Sequence, residues 1–241
     1  MGWNYHHNVR LLKVANTSNG GAVTSVKAMF SEWLESRNDR GDFVRLNQPY
    51  PVILVAAEGG GIRAAYATAL LLQELQQRWP AFRHHLFTIS GVSGGSIGAA
   101  YFAAKCQRGA HQPPIGEPNE VFTQNFLSGP MAALLGPEIF QRVLPSQFPF
   151  WHRWEAITGL GIDRAVSLEQ GFEAALKSGL ESSPLEGDFC TGYDPKRDVP
   201  LLLLNATEAT TGRRVVFSPV AVDEDKGAVY PIQEDPSLHI R

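Results

Sequence analysis

The chain has 241 residues, enough for one α/β domain with a substantial core but not for two large ones, and its 44% hydrophobic content is that of a globular protein. A net charge of -3, with Lys and Arg scattered rather than clustered, supplies no basic field for nucleic acid and excludes it as an expected partner. Two cysteines, Cys106 and Cys190, have neither metal-ligand spacing nor the density of a secreted disulfide scaffold, so they predict two unpaired thiols in a reduced compartment.

In chain order, residues 1–22 are largely polar and include the turn-forming run Ser18-Asn19-Gly20-Gly21, which predicts an irregular arm. Val26, Met29, Phe30, Trp33 and Leu34 then recur at helical spacing while Lys27, Glu32 and Glu35 lie off that stripe. This predicts an amphipathic helix, capped at Thr24 or Ser25, that packs on a sheet. Its polar face lacks the Lys/Arg enrichment of a helix lying on a membrane surface. Arg37 to Asp42 predicts a charged loop leading through Pro49-Tyr50-Pro51 to the first strand.

That strand is Val52 to Ala57, a continuous apolar run of the kind buried on both faces of a parallel sheet. Glu58-Gly59-Gly60-Gly61-Ile62-Arg63 follows, and Ala64 to Trp79 predicts a largely buried helix. A glycine-rich loop opening a helix presents free N–H groups at the positive end of the helix dipole and can hold an anion. His84-His85 is predicted as a helix-to-strand loop ahead of Leu86 to Ser90, an apolar and β-branched strand. Gly91-Val92-Ser93-Gly94-Gly95 and the small, helix-compatible run Ser96 to Ala104 complete a strand, sharp turn and helix. Gly-x-Ser-x-Gly in that context is the spelling of a nucleophile elbow, in which Ser93 sits on a strained turn and Gly91 and Gly95 leave room for the strand to fold back onto the helix. The oxyanion donors assigned on this reading are the N–H groups of Gly60, Gly61 and Gly94.

Gln107 to Pro118 predicts an extended surface connection. Val121 to Trp154 is rich in aromatics, including Phe122, Phe126, Phe140, Phe148, Phe150, Trp151 and Trp154, which suits either a cap lining an acyl-chain pocket or a satellite core under a long crossover. Asp163 to Leu176 predicts a helix with Leu168, Phe172, Ala175 and Leu176 on one face. Val199 to Ala206 predicts another buried strand, with Arg213 to Phe217 as its return partner after Thr211-Gly212. No apolar stretch approaches the about 18 residues of a membrane-spanning helix, and Met1 to Asn8 has no cationic segment leading into an apolar one. A cytoplasmic or peripheral-membrane location is expected.

Gly-Gly-Gly-x-Arg after one strand and Gly-x-Ser-x-Gly after the next, followed at a distance by Leu201 to Arg213 with its Thr-Gly turn, resemble the patatin-like phospholipase family. The resemblance implies a three-layer α/β/α fold with a mainly parallel central sheet. It implies a hydrolase domain over 46–241, preceded by an arm and amphipathic helix over 1–45. It also implies a serine–aspartate dyad in which Ser93 is the nucleophile and Gly59, Gly60, Gly61 and Arg63 form the oxyanion loop. The substrate class is then phospholipid or another fatty-acyl ester met in transient contact with a membrane surface, and no cofactor or metal is called for. The family's aspartate stands in an Asp-Gly motif; no Asp-Gly dipeptide occurs between Met1 and Arg241, so this aspartate is expected beyond Arg241.

Three other readings use the same residues. Gly59-x-Gly61-x-x-Ala64 also satisfies a dinucleotide fingerprint, but Trp79 to Ser90 carries no acidic residue to hold a ribose. A Ser-Asp-His triad would need His111, His152 or His239, none in a distinctive context, and no His-Glu-x-x-His constellation predicts a metalloenzyme. The missing Asp-Gly motif is compatible with a non-catalytic binding protein. The acids downstream of Ser93, Asp163, Asp188, Asp194, Asp198, Asp223, Asp225 and Asp235, read as caps, turns or surface charges.

Overall fold

A computed structural model of the chain describes residues 25–108, 115–139, 164–177, 193–208 and 212–220. Residues 25–108, 193–208 and 212–220 belong to one compact unit, and 115–139 and 164–177 to another.

The first unit is a mixed α/β structure on a four-stranded sheet ordered β1 (Ile53–Ala57), β2 (Leu86–Val92), β3 (Leu201–Thr207), β4 (Arg214–Phe217). β1–β2 and β2–β3 are parallel and β3–β4 antiparallel, so the expected mainly parallel sheet and the return strand are both present. Register shifts between Ile53 and Leu54, whose partners are Leu86 and Thr88, leaving Phe87 as an extra residue in β2. Such a bulge reverses the alternation of side chains. Leu86 and Ile89, three residues apart, therefore enter the same core.

That core joins Leu86, Ile89, Ala57 and Leu202 of the sheet to Leu72, Phe82, Phe102 and Ala103. These four come from α3 (Gly61–Arg78), α4 (Phe82–His85) and α5 (Gly94–Gln107), packed on one face. On the opposite face Phe87, Leu201 and Val220 meet Trp33 of α1 (Val26–Glu35), with Val26, Met29, Phe30 and Leu34 packed around them. All five residues of the predicted apolar stripe thus face the sheet, and Ser25 caps the helix by accepting the Ala28 N–H at 3.2 Å.

Two burial expectations are corrected. Among the described residues β1 stands at one edge of the sheet, and Leu54 is 66% exposed, because α1 lies over Phe87 and Leu201 of the inner strands rather than over β1. α3 buries Ala65, Ala69 and Leu72 at i, i+4 and i+7 but leaves Leu71 60% exposed, so it is amphipathic rather than largely buried.

The predicted charged loop at 37–42 is also different. It contains α2 (Arg40–Arg45), and Arg37 is buried. The Arg37 guanidinium donates to the carbonyls of Trp33 (3.2 Å), His84 (3.1 Å) and Pro195 (2.6 Å), and to Asp198 (2.9 Å). It ties the end of α1 to the segments entering β2 and β3. His84 and His85 close α4 instead of forming a loop, and His84 lies between Asp198 (Nδ1, 2.9 Å) and Asp39 (Nε2, 3.2 Å). Burial would raise the Asp39 carboxyl, but the hydrogen bond from Tyr50 and the charge of the neighbouring histidines hold it below its usual value. Burial pushes the free Cys106 thiol up to about 12, as befits a structural rather than reactive cysteine.

In the second unit, α6 (Pro118–Phe122), α7 (Ser128–Ala133), a π-helical turn (Leu134–Glu138) and α8 (Arg164–Lys177) pack together. Phe122 and Phe126 are buried, and Phe126 stacks on Phe172 at 4.5 Å, which makes this part of the aromatic region a satellite core. Phe140, Phe148, Phe150, Trp151 and Trp154 lie outside the described residues.

Trp33→Ala is expected to cost about 3–5 kcal/mol in urea unfolding, the range for emptying a buried tryptophan site. Because the folded pKa of Asp39 is lowered, its stabilising effect is complete above the ordinary carboxyl value of 3.8 and is lost as pH falls through the folded pKa. The stability gap between wild type and Asp39→Asn, measured by urea unfolding at stepped pH, should therefore close below about pH 4.

Candidate active site

β1 and β2 run parallel with Ala57 opposite Gly91, so the turns leaving their carboxyl ends lie side by side. One turn carries Glu58, Gly59 and Gly60 into α3; the other is Ser93, which opens α5. Ser93 is exposed and has φ 50° and ψ −123°. The other described non-glycine residue with positive φ is Asn47, just past α2, where a left-handed asparagine commonly ends a helix. Ser93 falls outside even that left-handed well, a conformation that costs about 1–3 kcal/mol and persists only when its surroundings fix it.

Those surroundings are backbone. The Ser96 and Ile97 N–H groups donate to the Ser93 carbonyl at 3.0 and 3.4 Å. A Cβ on Gly91 would stand 2.7 Å from Ser96 Cα, one on Gly95 would stand 2.5 Å from the carbonyl oxygens of Ala57 and Glu58, and one on Gly94 would stand 1.9 Å from the Gly61 carbonyl oxygen. None of these neighbours is a side chain that could move aside. The two turns therefore pack backbone to backbone.

The glycine loop completes the arrangement. Gly60 and Gly61 have φ 147° and 62°, so both need glycine, and a Cβ on Gly59 would lie 3.4 Å from Ser93 Cβ. Gly61 and Gly94 are the first residues of α3 and α5, where helix geometry leaves N–H groups without intrahelical acceptors. Arg63 is exposed in the first turn of α3. Gly59, Gly60, Gly61, Gly91, Gly94, Gly95 and Ser93 are thus brought together at the carboxyl end of the sheet. Val92 beside Ser93 is 48% exposed and Ile62 beyond the glycines 37%, so apolar surface flanks the serine.

Among the described residues no carboxylate is hydrogen-bonded to Ser93 Oγ. Asp194 accepts the Lys196 N–H, and Asp198 is engaged by Arg37 and His84 ahead of β3, at the amino end of the parallel strands. His111, His152, His239, Asp163, Asp188, Asp223, Asp225 and Asp235 lie outside the described residues. Among the described residues no group of three or more His, Cys, Asp or Glu side chains could hold a metal ion, and no helix is long and apolar enough to cross a membrane.

Sequence reasoning passed over Asn205. It pairs with Val92 across the sheet, and its Nδ2 donates to Ser90 Oγ (2.9 Å) and the Gly91 carbonyl (2.9 Å), with the Leu203 carbonyl at 3.2 Å. Arg214 of β4 donates to its Oδ1 through Nε at 3.0 Å and through Nη2. The available signal was a lone amide inside the otherwise apolar run from Leu201 to Ala206.

No protein-family model matches the chain, and no curated protein and no solved structure matches it at the significance required.

Gly95→Ala should cost about 1–3 kcal/mol in urea unfolding, as expected when a methyl is forced against immobile backbone. Gly41→Ala in α2, where a Cβ meets nothing within 4 Å, is the control and should be neutral or stabilising by up to about 1 kcal/mol.

Proposed function

We propose that the chain carries the acyl-transfer site of a serine lipid hydrolase of the patatin-like kind, with Ser93 as the nucleophile of a Gly-x-Ser-x-Gly elbow. The observation that carries this reading is the exposed Ser93 held at φ 50°, ψ −123° between β2 and α5, with the Gly59–Gly61 loop packed against it. The exposed serine side chain itself gains no burial from this strain, and pre-orientation of Oγ above the sheet supplies a reason for it. The three-layer patatin-like architecture is part of the same proposal, supported by a mainly parallel sheet with helices packed on both faces.

In this mechanism Ser93 Oγ attacks the carbonyl carbon of a fatty-acyl ester and its proton passes to a carboxylate contributed from outside the described residues. The carbonyl oxygen becomes an oxyanion facing the N–H groups of Gly60, Gly61 and Gly94, with the positive charge of Arg63 nearby. Collapse of the tetrahedral intermediate breaks the acyl–oxygen bond, the alcohol leaves with the proton, and water then releases the fatty acid from Ser93. Exposed Val92 and Ile62 offer apolar contact to the acyl chain. No cofactor enters the scheme. The protein meets phospholipid or a related acyl ester by transient contact with a membrane surface.

The dinucleotide reading is less well supported, because β2 ends at Val92 and runs directly into Ser93 rather than into a carboxylate that could hold a ribose. The proposal is tested by fluorophosphonate labelling with mass-spectrometric location of the adduct: Ser93 should be modified, and Ser93→Ala should take up no label. Gly60→Leu should lower acyl-ester turnover about 100-fold or more through loss of oxyanion alignment while thermal unfolding shows a folded protein. A wild-type esterase rate in that variant would remove the glycine loop from the mechanism.

A further inference from the structure

We propose that Asn205, its amide oriented by Arg214, is a positioning residue that holds Ser93 in its strained conformation from the strand side; this rests on the reading of Ser93 as a nucleophile. The turn is fixed on its helix side by the bonds from Ser96 and Ile97 to the Ser93 carbonyl. On the strand side the Gly91 carbonyl is gripped two residues before Ser93. An amide nitrogen carries two protons, and the two shortest contacts of Asn205 Nδ2, Ser90 Oγ and the Gly91 carbonyl, take them. Ser90 and Gly91 are the residues of β2 just ahead of Val92 and Ser93, so the bond to the Gly91 carbonyl fixes the Gly91–Val92 peptide plane, one peptide before the one that enters the serine.

The orientation of the amide follows from its other end. Arg214 presents two N–H donors to one atom of the Asn205 amide, and only the oxygen can receive them. The nitrogen must then face β2. Arg214 is exposed and on β4, the last strand of the sheet among the described residues, so this contact runs from β4 to the segment ahead of the serine turn through one side chain. Asn205→Asp separates positioning from packing: a carboxylate keeps the size and the Arg214 contact but turns an anionic oxygen toward the Gly91 carbonyl, to which the amide had donated.

The test is the saturation kinetics of fluorophosphonate labelling at Ser93 in the intact chain, run beside urea unfolding, for wild type, Asn205→Asp, Arg214→Met and Arg214→Lys. The limiting labelling rate of folded Asn205→Asp should fall about tenfold or more while the half-saturating reagent concentration stays within about twofold, the signature of lost alignment rather than lost binding. Arg214→Met should fall by about threefold or more and Arg214→Lys should recover most of that loss, since lysine restores a donor to Oδ1. A limiting rate within about twofold of wild type in folded Asn205→Asp overturns the proposal. If that variant does not fold, Arg214→Met decides, and an unchanged rate there overturns it. Absence of any adduct on wild-type Ser93 would count against the nucleophile reading itself. Crystal structures of wild type and Arg214→Met would then decide the positioning: Ser93 φ relaxing from 50° to a negative value in the variant supports it, and φ unchanged overturns it.

Discussion

The contact on which the site depends is the backbone approach of two adjacent βα turns. Gly94 Cα presses on the Gly61 carbonyl, and Gly95 Cα on the carbonyls of Ala57 and Glu58, at separations that admit no side chain. Because β1 and β2 are parallel neighbours, both turns emerge at the same end of the sheet. Their helices start there, and so do the N–H groups that helix geometry leaves unpaired. One steric requirement therefore brings together a strained serine, a glycine loop and two helix N-termini.

The sheet beneath holds this contact through two cores of different character. On one face, small residues of α5 such as Ala99 and Ala103 allow that helix to come close to β2, and Gly98 lets it meet α3, with a Cβ there falling 2.5 Å from the Ala65 carbonyl oxygen. On the other, Trp33, Phe30 and Phe87 fill the space under α1 with rings 5.1–5.9 Å apart. Arg37 links that helix to the amino ends of β2 and β3 by satisfying several carbonyls and Asp198 at once. Burying a guanidinium is tolerated because nearly every N–H finds an acceptor. The ionic network and the serine turn thus occupy opposite ends of the same strands.

In the proposed mechanism the division of labour is geometric. Helix ends and glycines provide preorganised donors, the strained turn aims Oγ, and the flanking Val92 and Ile62 provide apolar surface. Asn205 adds a polar clamp inside an apolar strand, which is costly unless every contact is made, and here both ends of the amide are engaged. That the clamp grips Ser90 and the Gly91 carbonyl, two residues ahead of Ser93, is why it is read as positioning.

Much of the fold was legible in the sequence because local patterns carry it. The stripe Val26, Met29, Phe30, Trp33, Leu34 defined α1 and its buried face, since periodicity depends only on the chain's own helix. The apolar runs at 52–57, 86–90 and 199–206, each ended by glycines or a turn, pointed to the strands found at 53–57, 86–92 and 201–207, and the glycine and serine spacings pointed to the turns later found side by side. Tertiary structure decided what periodicity cannot contain. Among the described residues strand order places β1 at an edge with Leu54 exposed, and a bulge at Phe87 sent Leu86 and Ile89 to one core. Arg37, His84 and Asp198, each ordinary in its local context, became one network only when residues more than a hundred positions apart met at the strand entrances. Asn205 likewise acquired its partners from β2 and β4, because hydrogen bonds between strands depend on register, and register is set by the packed sheet rather than by neighbours in sequence.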